Sequence, residues 1–308
     1  MSDAPIVVRL ALRSLDDDHF EGRHPEEPSP LARPVPGRAP AVHVFGGLIL
    51  GQALRSAHLT VPEDGGGAPG PAASGDGASS MAGALAVGGG VRRRRPASVQ
   101  AAFLRAGRAS QPFRYSVERT RDGRAFSVRR VVASQDDDPV LILQATFQVD
   151  EEGEEYQGSA LPADLPRPDE LPPGRYDGAA FDCRDVPPVG RGGGRSAYAR
   201  LMWFRARGEL PDDPDLHLHA LACATDHGPT RAVREPHAGH AGVEERHSVS
   251  LDHAVWFHRP ARGDRWMLSE LWPVSTGAAR GLCTVPVHTA EGVLVASVSQ
   301  QALLRLPG

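Results

Sequence analysis

The sequence predicts an α+β protein in which one unit, a helix followed by an antiparallel meander, is stated twice. Three observations carry this. Tyr115–Gln148, "YSVERTRDGRAFSVRRVVASQDDDPVLILQATFQ", overlays Leu268–Gln300, "LSELWPVSTGAARGLCTVPVHTAEGVLVASVSQ", with one residue's difference in a turn, and both end on glutamine. Ahead of the meanders, "FLRA" (Phe103–Ala106) matches "FHRP" (Phe257–Pro260). Each meander also follows a helical candidate, as duplication of an α+β unit requires.

The section to about Pro40 mixes acidic turns with prolines, as in "HPEEPSPLARPVPGRAP", and reads as an irregular lead-in. Val42–Val61 then places Phe45, Leu48, Ile49, Ala53, Leu54 and Ala57 on a helical stripe. Gly46, Gly47 and Gly51 sit inside it, each at a cost of about 1 kcal/mol against alanine. Such glycines predict tight packing against a backbone, as when a sheet curls round the helix. A glycine-rich insert over about 63–96 follows, too poor in apolar residues to bury a core. The run Arg92–Arg95 at its end reads as a solvated basic tip that could draw phosphates.

From Ser98 the pattern turns strand-like, in Ser98–Gly107, Pro112–Arg121, Ala125–Gln135 and Pro139–Val149. Residues 151–197 read as an acidic, proline-rich linker. The cycle restarts with the short helical candidate "LHLHALACATDHG" (Leu216–Gly228). Pro229 follows directly and predicts a break or kink there, since proline inside a helix costs about 3 kcal/mol or more. Four strand-like runs complete the chain: Ser248–His258, Trp266–Pro273, Ala279–His288 and Val293–Leu304.

Composition narrows the function. At 308 residues the chain is comfortable for two domains, and 40% hydrophobic residues suffice for real cores. A net charge of -4 excludes a global basic field, so nucleic acid is not the expected partner. Cysteines number three, odd and widely spaced, which argues against a disulfide framework and fits a reducing compartment. No run approaches the roughly 18 apolar residues of a membrane span, and the acidic, proline-rich start is not a signal peptide. All 34 basic residues are arginines. Without lysine there is no Schiff-base chemistry and no lysine-bearing phosphate loop.

The stretch "SVSLDHAVWFHRP" (Ser248–Pro260) holds a serine, an aspartate and two histidines in one strand-like run. Strict alternation would put Ser250, Asp252, Ala254, Trp256 and His258 on one face and His253 on the other. His258 lies too far along from Ser250 at about 3.3 Å per residue. An in-line triad is therefore excluded, and any partners of this strand come from elsewhere. His237, His240 and His247 lack metal-ligand spacing and predict no metal site. Arg121, Arg124, Arg129 and Arg280 are phosphate-contact candidates only because arginine suits phosphate.

Taken together, "FGGLILGQAL", "RDGRAFSVRRVVASQ", "FRARGELPDD", "SLDHAVWFHRP" and "EGVLVASVSQ" resemble the acyl-CoA thioesterase II family, which includes peroxisomal acyl-CoA thioesterases. The resemblance covers most of Leu12–Leu304 outside the insert. It implies a double hotdog: two antiparallel sheets, each wrapped around a central helix. The expected division is an N-terminal hotdog over 1–150, a linker over 151–197 and a C-terminal hotdog over 198–308. The implied activity is hydrolysis of fatty acyl-CoA to free acid and coenzyme A, with no metal or redox cofactor. The rival expectation is a catalytically impaired acyl-CoA binder or scaffold.

Carried over residue by residue, the family's aspartate falls on Asp226, its hydroxyl on Ser250 and its amide on Gln300. Gln300 is preferred to Gln301 because the repeat aligns it with Gln148. Asp226, the one acid of the three, is the candidate base; Ser250 and Gln300 can orient a water. Asp252, expected on Ser250's face, is the runner-up base. Backbone N–H groups around Phe45–Gly47 or in the second helix are candidates to hold the carbonyl oxygen. By analogy a homo-oligomer is expected. The compartment is expected to be cytoplasmic, since the chain's last residues are not a Ser-Lys-Leu address, although the family has peroxisomal members.

Overall fold

The computed structural model describes residues 4–25, 44–62, 93–187, 198–239 and 247–305. The chain opens with α1 (Pro5–Leu10), β1 (Leu12–Ser14) and β2 (His19–Gly22). The lead-in is thus structured up to Gly22, while 26–43 lie outside the described residues. Then come α2 (Gly46–Leu59), β3 (Arg94–Phe103), β4 (Phe113–Asp122), β5 (Phe126–Gln135) and β6 (Asp138–Val149). The second half holds β7 (Phe181–Val186), β8 (Arg200–Ala206), α3 (Pro214–Ala224), α4 (Pro229–Ala232), β9 (His247–Ser250) and β10 (Asp252–Phe257). It closes with β11 (Met267–Gly277), β12 (Arg280–Thr289) and β13 (Leu294–Arg305).

All the described strands join one antiparallel sheet in the order β1-β2-β4-β5-β6-β3-β10-β13-β12-β11-β8-β7, with β9 on β13. The order is a palindrome about the β3–β10 seam: β6 mirrors β13, β5 mirrors β12, β4 mirrors β11. The two expected sheets therefore meet edge to edge, with Val255 opposite Val99. This pairing satisfies the backbone groups that two free sheet edges would leave open.

Two expected boundaries move. Arg94, Arg95 and Pro96 belong to β3, so the insert ends before them; Arg92 and 63–91 lie outside the described residues. Arg94 is no solvated tip but is buried, donating to Ser127 Oγ and to the Gly123 carbonyl. Within the expected linker, β7 pairs with β8 as the outermost strand of the second half.

The two long helices cross antiparallel, as three pairs of neighbours demonstrate. A Cβ on Gly47 would lie 2.2 Å from the Cys223 carbonyl oxygen, and one on Gly51 3.3 Å from that of His219. At the far end His58 Nδ1 stands 3.1 Å from His219 Nε2. The glycines of α2 do permit close approach, but to the backbone of α3 rather than to the curled sheet. The opposite flank of α2 packs on β4–β6, and Leu50, Ala53, Leu54 and Ala57 are fully buried.

Arg129, a phosphate-contact candidate on sequence grounds, is instead a fully buried strut. Its guanidinium donates to Thr60 Oγ1 at 2.8 Å, to the Thr60 carbonyl at 2.9 Å and to Asp122 Oδ1 at 2.8 Å. It ties the C-terminal end of α2 to the β4–β5 hairpin. Burial of a charge is tolerable only when its donors are met in this way.

Candidate active site

The second helix breaks where the sequence predicts. α3 ends at Ala224, and Thr225 caps it with a hydroxyl that lies 2.8 Å from the Ala222 carbonyl. Gly228 has φ of +103°, in the region that favours glycine, and Pro229 opens α4 beyond it. Asp226 consequently stands in the turn after α3 rather than inside the helix. A helix continued through this point would carry its side chain round the cylinder; the break holds it at the crossing with α2.

That crossing aims the N-terminus of α2 at the carboxylate. The Gly47 N–H donates to Asp226, where the partial positive charge of a helix start also acts. A Cβ on Gly46 would lie 2.9 Å from Asp226 Oδ2, so this position tolerates no side chain without moving the acid. The N–H expected to hold a substrate oxygen at Gly47 is thus engaged by the carboxylate.

Ser250 reaches the same carboxylate from the sheet: its hydroxyl donates to Asp226 Oδ1 at 3.2 Å. Gln300 Nε2 donates to Ser250 Oγ at 2.7 Å and also to Asp226. The three residues that the resemblance singled out are therefore in mutual contact. Gln300 is fully buried on β13, whereas Gln301 faces the other way, half-buried.

The strand carrying Ser250 does not keep strict alternation. Ser250 pairs with Ala302 and Ala254 with Ser299, so four steps on one strand oppose three on the other. This bulge at Leu251 inverts the face of everything after it. Asp252, expected beside Ser250, points outward and accepts from the Gln301 N–H at 2.9 Å. The runner-up base is thereby removed from the site. His253, expected on the far face, is turned inward and fully buried, with Nδ1 2.6 Å from Gln300 Oε1 and Nε2 2.9 Å from Thr225 Oγ1.

Burial pushes the Asp226 pKa up to about 6, against donation from Gln300, Ser250 and the Gly47 N–H. Burial dominates because three hydrogen bonds replace only part of a carboxylate's hydration. The same desolvation lowers the His253 and His227 imidazoles to about 4, against one hydrogen bond each. His227 stacks on Phe45 at 4.3 Å between centroids, with Tyr176 and Phe181 around it. The arrangement is a neutral apolar wall beside one carboxylate of raised basicity, with a hydroxyl and an amide touching it. It can accept a proton from a bound water and orient that water by donors and acceptors on two sides.

Sequence reasoning missed Thr225, His253 and the role of Gly46. Alternation gives Asp252-His253 the wrong phase because the bulge shifts the strand by one residue. In the first half the aligned Gln148 bonds Glu151 near the surface at 3.4 Å, so among the described residues it does not join a counterpart of the cluster. Among the described residues no group of three or more His, Cys, Asp or Glu could hold a metal ion. His237 Nε2 is 2.8 Å from Thr276 Oγ1, and His240 lies outside the described residues. No described helix is long and apolar enough to cross a membrane.

Comparison with known proteins adds independent findings. Residues 35–148 match the model of an acyl-CoA thioesterase N-terminal domain. Residues 157–304 match that of an acyl-CoA thioesterase C-terminal domain. The human protein named acyl-coenzyme A thioesterase 8 is 31% identical, over 98% of this chain and 89% of that protein. The crystal structure of acyl-CoA thioesterase II TesB2 from Mycobacterium marinum superposes with a TM-score of 0.75 at 32% identity, covering 98% and 99% of the two chains. An Alicyclobacillus acidocaldarius protein described as having a hot dog fold gives a TM-score of 0.69 at 16% identity, covering 100% of both chains, and speaks for the fold alone.

Proposed function

This chain belongs to the acyl-CoA thioesterase II family and is a thioester hydrolase, and on that premise we propose that it hydrolyses fatty acyl-CoA by direct attack of water, with Asp226 as the base. Ser250 and Gln300 orient the water. The same reading takes α2 as the central helix of the first hotdog, and α3 with α4 beyond its break as that of the second.

The observation that carries the proposal is the buried carboxylate of Asp226 in contact with both Ser250 and Gln300. As water oxygen bonds to the thioester carbonyl carbon, Asp226 takes one of its protons. The tetrahedral oxyanion then collapses and the C–S bond breaks. The proton held on Asp226 passes to the departing sulfur, so one water becomes the acid's hydroxyl and the thiol's hydrogen. A carboxylate with a pKa of about 6 is ionised at neutral pH yet more basic than a solvated one. That combination suits general-base work. Ser250 orients rather than attacks in this reading: its hydroxyl is bonded to a carboxylate and an amide, not to the imidazole base of the Ser-His-Asp template. No cofactor enters; coenzyme A is part of substrate and product.

The alternative of a catalytically impaired binder is less favoured: the similar proteins are named thioesterases, and Asp226 keeps its contact with Ser250 beside the break at Gly228-Pro229. The test is release of free thiol from acyl-CoA substrates of graded chain length. The parent enzyme turns over at least part of the series, and Asp226→Asn lowers kcat by about 100-fold or more, from the lower end of the range for loss of a general base upward. An Asp226→Asn enzyme as fast as the parent overturns the assignment.

A further inference from the structure

The amide of Gln300 has two faces with opposite demands. Toward Ser250 and Asp226 it must donate, since a carboxylate oxygen stands there; toward His253 it accepts. An amide turned over about its last torsion would aim Oε1 at that carboxylate, and two acceptors would face each other across a buried gap. Something must choose between the two orientations, because a carboxamide fits the same space either way.

His253 is placed to choose. Its ring is fully buried and both nitrogens are engaged, Nδ1 by Gln300 Oε1 at 2.6 Å and Nε2 by Thr225 Oγ1 at 2.9 Å. A neutral imidazole has one N–H and one lone pair. The Thr225 hydroxyl has one hydrogen and two acceptors in reach, the Ala222 carbonyl at 2.8 Å and His253 Nε2 at 2.9 Å. Turned from Ala222 to Nε2, it leaves the imidazole N–H on Nδ1, pointing at Gln300 Oε1. We propose that His253, its tautomer held by Thr225, is a positioning residue that fixes the amide of Gln300 with its nitrogen toward Ser250 and Asp226. This rests on the reading of Asp226 as the base, which the same experiment tests separately.

The titratable groups about Asp226 make the readout clean. His253 and His227 are neutral down to about pH 4, the Tyr176 hydroxyl is pushed up to about 12, and burial raises the Cys223 thiol still further. Between pH 5 and pH 8 Asp226 alone changes charge among them. The Gln300 N–H lowers its pKa, so an overturned amide moves the acidic limb of the rate to higher pH.

The experiment compares His253→Leu, His253→Asn and Thr225→Val with the parent, in kcat, KM and pH profile. His253→Leu is expected to lower kcat about tenfold with KM within a factor of two, and to shift the acidic midpoint upward. His253→Asn keeps a donor near the place of Nδ1 and is expected to restore most of kcat and the parent midpoint. Equal losses in both variants, or an unmoved midpoint in His253→Leu, overturn the inference. Should His253→Leu fail to fold, Thr225→Val carries the test: a midpoint shifted upward supports the inference, and an unchanged one overturns it. Asp226→Asn in the same assay separates the two claims. If it is inactive while His253→Leu behaves as the parent, only the positioning role falls; if it is fully active, the base assignment falls.

Discussion

Ser250 donates to Asp226 Oδ1 across 3.2 Å, from a bulged strand to the turn that ends α3. Both positions lie at the end of an element: Ser250 is the last residue of β9, and Asp226 stands just past the end of α3. The serine stands where the ladder of β9 gives way to that of β10, and the aspartate where a helix has just been broken. Both irregularities serve the same contact, which a straight helix or an unbroken strand would pull apart. Irregular backbone at a site of chemistry is a common device for re-aiming side chains.

Removing the Ser250 hydroxyl takes a donor from the carboxylate and a partner from the Gln300 amide. Ser250→Ala is expected to lower kcat by about 10-fold to 100-fold with little change in KM, the pattern of an interaction made in the transition state. Ser250→Thr keeps the hydroxyl and should retain most activity. Steady-state kinetics on one acyl-CoA decides this; a Ser250→Ala enzyme losing only KM argues for a binding role instead.

The raised pKa of Asp226 has a pH signature in rate and in stability. With a value of about 6, kcat/KM should rise with pH through a midpoint near 6 and level off above it. The stability consequence has the opposite sign. The folded state holds the proton more tightly than the unfolded chain, whose carboxyl titrates near 3.8. Stability is therefore highest below pH 4 as far as this group is concerned, and is lost as pH rises from about 4 to about 6. At pH 7 the cost is on the order of 2–3 kcal/mol. Asp226→Asn is expected to melt several degrees higher than the parent at pH 7 and to lose that advantage near pH 4, as scanning calorimetry can measure.

Two adjacent glycines of α2 should respond differently to alanine. At Gly46 the new methyl would meet a carboxylate oxygen at 2.9 Å and the Phe103 ring at 3.0 Å, both side-chain atoms able to shift. Gly46→Ala is expected to fold, with helix propensity gaining up to about 1 kcal/mol, but to displace Asp226 and lose at least tenfold in kcat. At Gly47 the methyl would lie 2.2 Å from the Cys223 backbone carbonyl, so the helices must separate. Gly47→Ala is expected to lower stability by about 3 kcal/mol or more, in the range of severe overpacking. Chemical denaturation alongside kinetics distinguishes the two outcomes.

Asp252 tests the bulge directly. Its carboxylate faces outward and accepts from the Gln301 N–H. Asp252→Asn keeps an acceptor oxygen there and should leave kcat and its pH dependence within about twofold of the parent, with stability changed by less than about 1 kcal/mol. A loss comparable to that of Asp226→Asn would return Asp252 to candidacy as the base.

By itself the sequence determined the α+β alternation, the doubled meander and the positions of its strands to within a few residues. It also determined the break before Pro229 and, through resemblance, the three polar residues that meet. These are local properties: periodicity shows which residues share a face, and proline ends a helix wherever it falls. Tertiary structure alone decided the rest. The bulge at Leu251 exists only as a mismatch between two strands, so Ser250 and His253 share a face that simple alternation denies them. Asp226, Ser250, His253 and Gln300 are brought together across 24, 47 and 50 positions of chain. Their meeting depends on the register of β13 against two neighbours, on the joining of two sheets at β3 and β10, and on the crossing of α2 over α3. Alternation carries no information about which distant residue stands opposite, because that is set by packing and ladder pairing summed over the whole fold.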